Sequence, residues 1–149
     1  MTAEEVIRAH DRLFLDTNFL IYYIEDHADF GQTCQDLIDV AVRNNAKLVT
    51  SGVSLAEIVA HPFKKNKPDL AEQYRNLLMS PPLAMVDLTS EICYLAGKIR
   101  GEKNLKLPDA LQVAAGISSS CSAFVTNDKD LNPPDEISRI LLSEIQARQ

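Results

Sequence analysis

Four acidic residues in this 149-residue chain have types and positions suited to metal chemistry. Asp16 and Asp128 follow short apolar runs that are typical of strands. Asp109 begins a helix directly after a proline, and Glu57 lies one turn into another helix. In a sheet of parallel strands, such positions fall near the edge formed by the carboxyl ends of the strands, where ligands bind. We therefore expect the four carboxylates to converge on one site.

Convergent carboxylates need a compensating positive charge, because like charges within a few ångströms raise one another's pKa. A divalent cation such as Mg²⁺ or Mn²⁺, which prefers oxygen ligands, supplies that charge. Two such ions about 3.5–4 Å apart can activate a water and stabilise the leaving oxygen of a phosphodiester. By spacing alone, the same acids could also be helix caps or solvated side chains. Metal-dependent phosphodiester hydrolysis is thus a hypothesis that needs further support.

The elements that must position these acids follow from the hydrophobic pattern. Short apolar runs at 12–15, 47–50, 83–86, 123–125 and 139–142 indicate strands. Helices are expected at 2–10, 17–25, 30–44, 53–61, 69–79, 89–100 and 108–119. Strands that alternate with helices predict a parallel sheet covered on both faces by right-handed crossovers. The fold class is therefore α/β, with three α/β/α layers.

Several residues should set the ends of these helices. Thr17 and Asn18 can cap the second helix, and Thr89 can cap the sixth. Pro62 is expected to end the fourth helix, since proline lacks the backbone donor that a helix interior requires. The three cysteines, of which Cys93 is one, have no metal-ligand spacing and are expected to be buried thiols.

Length and composition are those of one soluble domain spanning residues 1–149. The chain is 46% hydrophobic and 24% charged, as ordinary globular proteins are. Its apolar runs are far shorter than the roughly 20 residues that span a bilayer. The first ten residues include Glu4 and Glu5 and lack the apolar region of a signal peptide. We expect a cytoplasmic protein without a membrane partner.

The net charge of −6 is unfavourable for nucleic-acid binding, which normally requires a basic surface. Metal binding by four of the 21 acidic residues would bring the remainder close to the 15 basic ones. Seven basic residues also cluster in two windows, 64–67 and 98–106. These residues lie either on solvated loops and helix ends or on two basic surfaces beside the metal site. The candidate RNA-binding residues are Lys64, Lys65, Lys67, Lys103 and Lys106.

Four local sequences together resemble the PIN domain. They are LDTNFLI at 15–21, SLAEI at 54–58, PDALQVAA at 108–115 and VTNDKDL at 125–131, and they occur in the family's order and at similar intervals. Each is weak alone, but all four in order are specific. The resemblance covers about residues 12–142, and the predicted helix at 2–10 is an addition to it.

The resemblance implies a sheet order of 3-2-1-4-5 and a metal-dependent endoribonuclease that uses Mg²⁺ or Mn²⁺. By it, the catalytic and metal-binding quartet is Asp16, Glu57, Asp109 and Asp128. Thr17, Asn18 and Thr126 match supporting positions that orient the acids or a bound water. Asp130 could replace or supplement Asp128 as the fourth acid. Many bacterial members are VapC-type toxins, so the resemblance also implies RNA as substrate, a cognate antitoxin as partner and a homodimer.

Other readings of the sequence predict different activities. A PIN-like fold could serve as a non-catalytic protein-interaction module, although all four acids are present. A response-regulator receiver needs a second acid directly after the first strand, and Asp16-Thr17-Asn18 lacks one. A haloacid-dehalogenase phosphatase needs an aspartate where Asn18 stands. An RNA, DNA and phosphate-ester assay with Mn²⁺ or Mg²⁺ separates these readings.

Overall fold

The computed structural model describes residues 1–147, which contain a five-stranded, all-parallel sheet in the order β3-β2-β1-β4-β5. The strands are β1 (Arg12–Leu15), β2 (Lys47–Ser51), β3 (Leu83–Val86), β4 (Ala123–Thr126) and β5 (Ser138–Leu141). This order confirms the predicted fold class and topology. The reversal between β1 and β4 creates a crevice at the carboxyl edge of the central strands.

The helices flank this sheet at positions close to the predicted ones. They are α1 (Ala3–Ala9), α2 (Thr17–Ile24), α3 (Gly31–Arg43), α4 (Gly52–Lys64), α5 (Pro68–Leu78), α6 (Ser90–Lys103) and α7 (Leu107–Ser118). The predicted N-terminal helix is present, with Thr2 capping it through the Glu5 amide. Among the helices described, none combines the length and the apolar character required to cross a membrane.

Strand β1 is buried on both sides because helices cover both faces of the sheet. Leu13 and Leu15 point into one apolar cluster, whereas Phe14 points into the other. Phe14 stacks on Phe124 of β4 with ring centroids 5.3 Å apart. The alternation of side chains along a strand accounts for the two cores. Together they fix the central strands whose ends carry the acidic residues.

Helix α7 approaches the sheet closely at Gly116. A Cβ atom at this position would lie 3.2 Å from Cβ of Phe14 and 3.0 Å from Cδ1 of Ile137. Any larger residue would therefore push α7 away from β1 or displace these neighbours. The close contact fixes the distance between the sheet and α7, the helix whose first turn carries Asp109.

Three predicted helix ends are wrong, of which one is the end of α6, predicted at residue 100 and found at Lys103. Asp16, rather than Thr17 or Asn18, caps α2, and its carboxylate accepts a hydrogen bond from the Phe19 amide at 2.9 Å. Pro62 does not end α4, which continues to Lys64 with the proline inside its last turn. The loss of one donor is tolerated there because the next donors still find acceptors, as Lys65 does at the His61 carbonyl 3.1 Å away.

The expectation of three buried thiols holds for Cys34 and Cys121 but is wrong for Cys93. Helix α6 buries Ile92, Ala96 and Ile99, which recur at steps of three and four residues. Cys93 follows Ile92 directly and falls outside this apolar stripe. Burial raises the pKa of the other two thiols, to about 12 for Cys34 and about 11 for Cys121.

Candidate active site

A cleft of about 280 Å³ opens at the carboxyl edge of the sheet, between α2, α4 and α7. Its lining residues are Asp16, Thr17, Asn18, Ile21, Glu57, Pro108, Asp109 and Gln112. The structure thus brings together three of the four predicted acids and two of the predicted supporting residues. Asp128 does not line this cleft, but its negative charge raises the pKa values of Asp16 and Asp109.

Asp16 is the half-buried carboxylate at the end of β1. Its pKa is raised to about 6, chiefly because burial disfavours the charged form. Hydrogen bonds from the Thr126 hydroxyl and the Phe19 amide lower this pKa, and the charges of Asp109 and Asp128 raise it further. The position therefore favours either a proton or a nearby cation.

Asp109 lies in the first turn of α7, where the helix dipole favours a carboxylate. Its pKa is nevertheless raised, first by burial and then by the negative charges of Asp128 and Glu57. The Lys106 ammonium opposes this shift. Asp109 is therefore electrostatically coupled to acids from three other segments of the chain, since Asp16 also responds to its charge.

Asp128 belongs to a tight turn after β4. Its amide donates to the Thr126 hydroxyl at 3.1 Å, and its Oδ1 accepts from the Asp130 amide at 2.9 Å. Asp128 raises the pKa values of both Asp16 and Asp109, whereas Asp130 is not among the groups that shift them. The negative charge of Asp128 therefore reaches both acids.

Glu57 is an exposed residue of α4, and its carboxylate accepts a hydrogen bond from Thr17. The Thr17 hydroxyl donates to Oε1 of Glu57 at 2.7 Å. Gln112 of α7 donates in turn to the Thr17 oxygen at 3.0 Å. Thr17 of α2 therefore links Glu57 of α4 to Gln112 of α7.

Sequence reasoning missed a group of buried polar residues that includes Gln112 of the cleft. The group consists of Thr50, Ser51, Ser54 and Gln112. They are joined by hydrogen bonds of 2.8–3.0 Å. One signal for Gln112 was available, because it stands three residues after Asp109 and so shares its helix face. Ser51 and Ser54 flank the beginning of α4, a position where hydroxyls usually act as caps.

The donor set fits a hard divalent cation. Among residues 1–147, no three His, Cys, Asp or Glu side chains already surround a single ion position. Mg²⁺ does not require such a cage, because it usually keeps several waters and binds through one or two carboxylates plus substrate phosphates. Burial is the main reason that the pKa values of Asp16 and Asp109 are raised, and repulsion from neighbouring carboxylates raises them further. A cation would relieve that repulsion.

The five predicted RNA-binding lysines are all exposed. Lys106 precedes α7 and lowers the pKa of Asp109, so its charge reaches the cleft. Lys64 ends α4 and is seven residues from Glu57, about 10 Å along the helix axis. In the described part of the chain, the side-chain ion pairs join Arg75 to Glu72 and Lys98 to Glu102. Neither of these two pairs includes any of the five lysines.

The sequence also matches a known protein family. The family model described as the PIN domain matches residues 13–136, which include all four acids. A comparison with curated proteins gives no match.

Solved structures of similar fold cover most of the chain. VapBC2 from Rickettsia felis, bound to a DNA fragment from its promoter, is 21% identical with a TM-score of 0.69, over 87% of this chain and 98% of that one. DNA-bound VapBC from Salmonella typhimurium is 17% identical with a TM-score of 0.67, over 88% and 98%. VapC20 from Mycobacterium tuberculosis, described as a toxin that cleaves the sarcin-ricin loop, is 16% identical with a TM-score of 0.61, over 79% and 91%. At these identities the similarity shows the fold alone.

Proposed function

This chain belongs to the PIN domain family, and on that premise we propose that it is a divalent-metal-dependent endoribonuclease. The observation that carries the proposal is the acidic cleft, in which Asp16, Glu57 and Asp109 meet and the charge of Asp128 reaches two of them. These four carboxylates would hold Mg²⁺ or Mn²⁺. When bound, the metal supplies an activated water and stabilises the leaving oxygen of an RNA phosphodiester.

The chain's own residues would orient the reacting groups. The Thr17 hydroxyl holds the Glu57 carboxylate, while the Thr126 hydroxyl and the Phe19 amide hold that of Asp16. Asn18 lines the cleft and offers an amide to a bound water or phosphate. Such fixed donors need little reorganisation when the reaction occurs, which favours catalysis.

We further propose that the chain acts as the toxin of a toxin-antitoxin pair and forms a homodimer. The support is the similarity of fold to VapC chains, which extends over most of both chains in each comparison. In this role the partner would be a cognate antitoxin protein and the substrate RNA.

A cleavage assay with three substrates tests the activity. The protein is incubated with single-stranded RNA, single-stranded DNA and a phosphate ester, each in Mn²⁺, Mg²⁺ and EDTA. We expect cleavage of RNA in either metal, none in EDTA and none by Asp16→Asn. Cleavage that continues in EDTA would contradict the metal dependence, whereas an inactive wild type that still binds protein partners would favour the non-catalytic interaction module.

Replacing Lys64, Lys65 and Lys67 together by alanine should weaken RNA binding and reduce its salt dependence. Each lost phosphate contact lowers the slope of log K against log salt by about 0.7 for a single strand. Fluorescence anisotropy of a labelled RNA at several salt concentrations, with the inactive Asp16→Asn background, measures the slope. Arg75→Ala is the matched control, because Arg75 lies nearby on α5 and already pairs with Glu72. A triple variant with the wild-type slope would show that this segment is only a solvated turn.

A further inference from the structure

Three consecutive hydrogen bonds lead from the end of β2 to the Glu57 carboxylate. Ser51 Oγ donates to Gln112 Oε1 at 2.8 Å, Gln112 Nε2 donates to Thr17 Oγ1 at 3.0 Å, and Thr17 Oγ1 donates to Glu57 Oε1 at 2.7 Å. Ser51 is 0% exposed, Gln112 3% and Thr17 9%. A buried relay of side chains thus ends at an exposed carboxylate of the cleft.

The direction of each bond follows from what its groups can donate and accept. The Ser51 oxygen already accepts from the Val53 amide at 3.3 Å, and the Gln112 Oε1 atom can only accept. The Ser51 hydroxyl donates to that oxygen at 2.8 Å, and the amide hydrogens of Gln112 face Thr17 and Ser54. The orientation of the amide is fixed by these partners.

The fixed amide also fixes the Thr17 hydroxyl. Thr17 Oγ1 accepts a hydrogen from Gln112, and the Glu57 carboxylate can only accept. The single Thr17 proton is thus directed to Glu57. If the amide rotated by half a turn, its oxygen would face Thr17 and Ser54 and compete with Glu57 for that proton.

We propose that Gln112, held in place by Ser51, is a positioning residue that aligns Glu57 for metal binding. The proposal rests on the proposed function, in which Glu57 is a metal ligand. Glu57 is exposed and would otherwise sample several rotamers, so a directed donor increases the fraction in the binding geometry. Outer-shell partners of this kind commonly change metal affinity or activity by about 10–100-fold.

The position of Gln112 explains how two helices are kept in register at the site. Helix α7 supplies Asp109 to the cleft and, one turn later, the amide that acts through Thr17 on Glu57 of α4. A shift of α7 relative to α4 would therefore disturb both carboxylates together. Thr17 belongs to α2, so the relay connects all three helices that line the cleft.

Equilibrium Mn²⁺ binding to the purified full-length protein, measured by titration calorimetry, tests this inference without the need for an RNA substrate. Gln112→Met keeps the side-chain length and removes the donor, and we expect its Mn²⁺ Kd to rise about tenfold, at the low end of outer-shell effects. Ser51→Ala touches neither Thr17 nor Glu57 but releases the amide, and its Kd should rise in the same direction by about threefold, below that range. Because this variant also loses the hydroxyl that caps α4 at the Val53 amide, its Kd is compared with that of Thr50→Val at a similar loss of thermal stability. If Gln112→Met does not fold, this comparison decides the question.

Thr50→Val is the matched control. Thr50 is fully buried in the same network and donates to the Leu15 carbonyl at 3.0 Å, but none of its hydrogen bonds is to Gln112. We expect this variant to lose thermal stability in EDTA and to keep the wild-type Kd. The half-saturating Mn²⁺ concentration for RNA cleavage should rise in Gln112→Met, with much of the rate restored at saturating metal.

The possible failures are distinguishable. Wild-type Mn²⁺ affinity in both Gln112→Met and Ser51→Ala would overturn the positioning role and leave the proposed ribonuclease intact. An equal loss of affinity in Thr50→Val would also overturn it, because the effect would then be general loosening of the network. If the wild type neither binds Mn²⁺ nor cleaves RNA, the proposed function fails and the positioning role fails with it.

Discussion

Asp128→Asn is expected to lower kcat/KM for RNA cleavage in Mn²⁺ by at least about 100-fold, the upper end of the effect of losing an outer-shell partner. Asp128 is the acid whose charge reaches both Asp16 and Asp109, as a fourth metal-binding carboxylate requires. The asparagine retains an oxygen for the Asp130 amide, so the turn after β4 should keep its shape. The loss would therefore report the charge of Asp128 and not the local fold.

Asp130→Asn is the control for this experiment. Asp130 is exposed and contributes its backbone amide to the turn, which the substitution leaves unchanged. Its kcat/KM should stay within about twofold of wild type, in keeping with the small effects of surface substitutions. Initial rates on one short RNA give both values. A larger loss in Asp130→Asn than in Asp128→Asn would exchange the roles of the two residues.

The sheet was predictable from sequence because its central strands are buried on both faces. Leu13, Phe14 and Leu15 form a continuous apolar run that ends at a charged residue, and the apolar run of β4 ends at the polar residues Thr126 and Asn127. Helix ends were less predictable, since several residues near each end can act as caps. Asp16 was interpreted as a site residue and also proves to cap α2, so one carboxylate serves both purposes.

The cleft was predictable in its acidic residues and, through the family resemblance, in Thr17 and Asn18. Carboxylates at strand ends are conspicuous because such charged groups need a reason to lie near a core. The roles of Ser51 and Gln112, and their hydrogen bonds to Thr17, were not visible, since Ser and Gln are common at helix ends and on surfaces. Their function depends on which atoms face each other across α2, α4 and α7, and sequence spacing does not determine that.

The pKa of Asp16 also predicts how stability depends on pH. Its folded value of about 6 lies above the ordinary 3.8, so the native state binds more protons than the unfolded chain between these two pH values. In EDTA, the contribution of Asp16 to the free energy of unfolding should therefore fall as pH rises from about 4 to 6. At 1.36 kcal/mol per pKa unit the loss is at most about 3 kcal/mol. Asp16→Asn removes this titration. Urea denaturation of both proteins from pH 4 to 7 should therefore show that the free energy of unfolding of the variant rises relative to that of wild type.

Addition of Mn²⁺ at pH 7 should shift the comparison the other way, in favour of wild-type stability over that of Asp16→Asn. An ion that binds only the folded protein stabilises it by RT ln(1 + [L]/Kd), about 2.7 kcal/mol at one hundred times Kd. For a chain of this size that corresponds to a rise in Tm of about 5–10 °C. Wild type should show this rise, whereas Asp16→Asn should show little, because asparagine caps α2 equally well but lacks the charge that binds the cation. Thermal melts of both proteins with EDTA and with Mn²⁺ measure the difference. An equal Mn²⁺ shift in the two would remove Asp16 from the metal site, and with it the charge-relief argument that links the raised pKa values to catalysis.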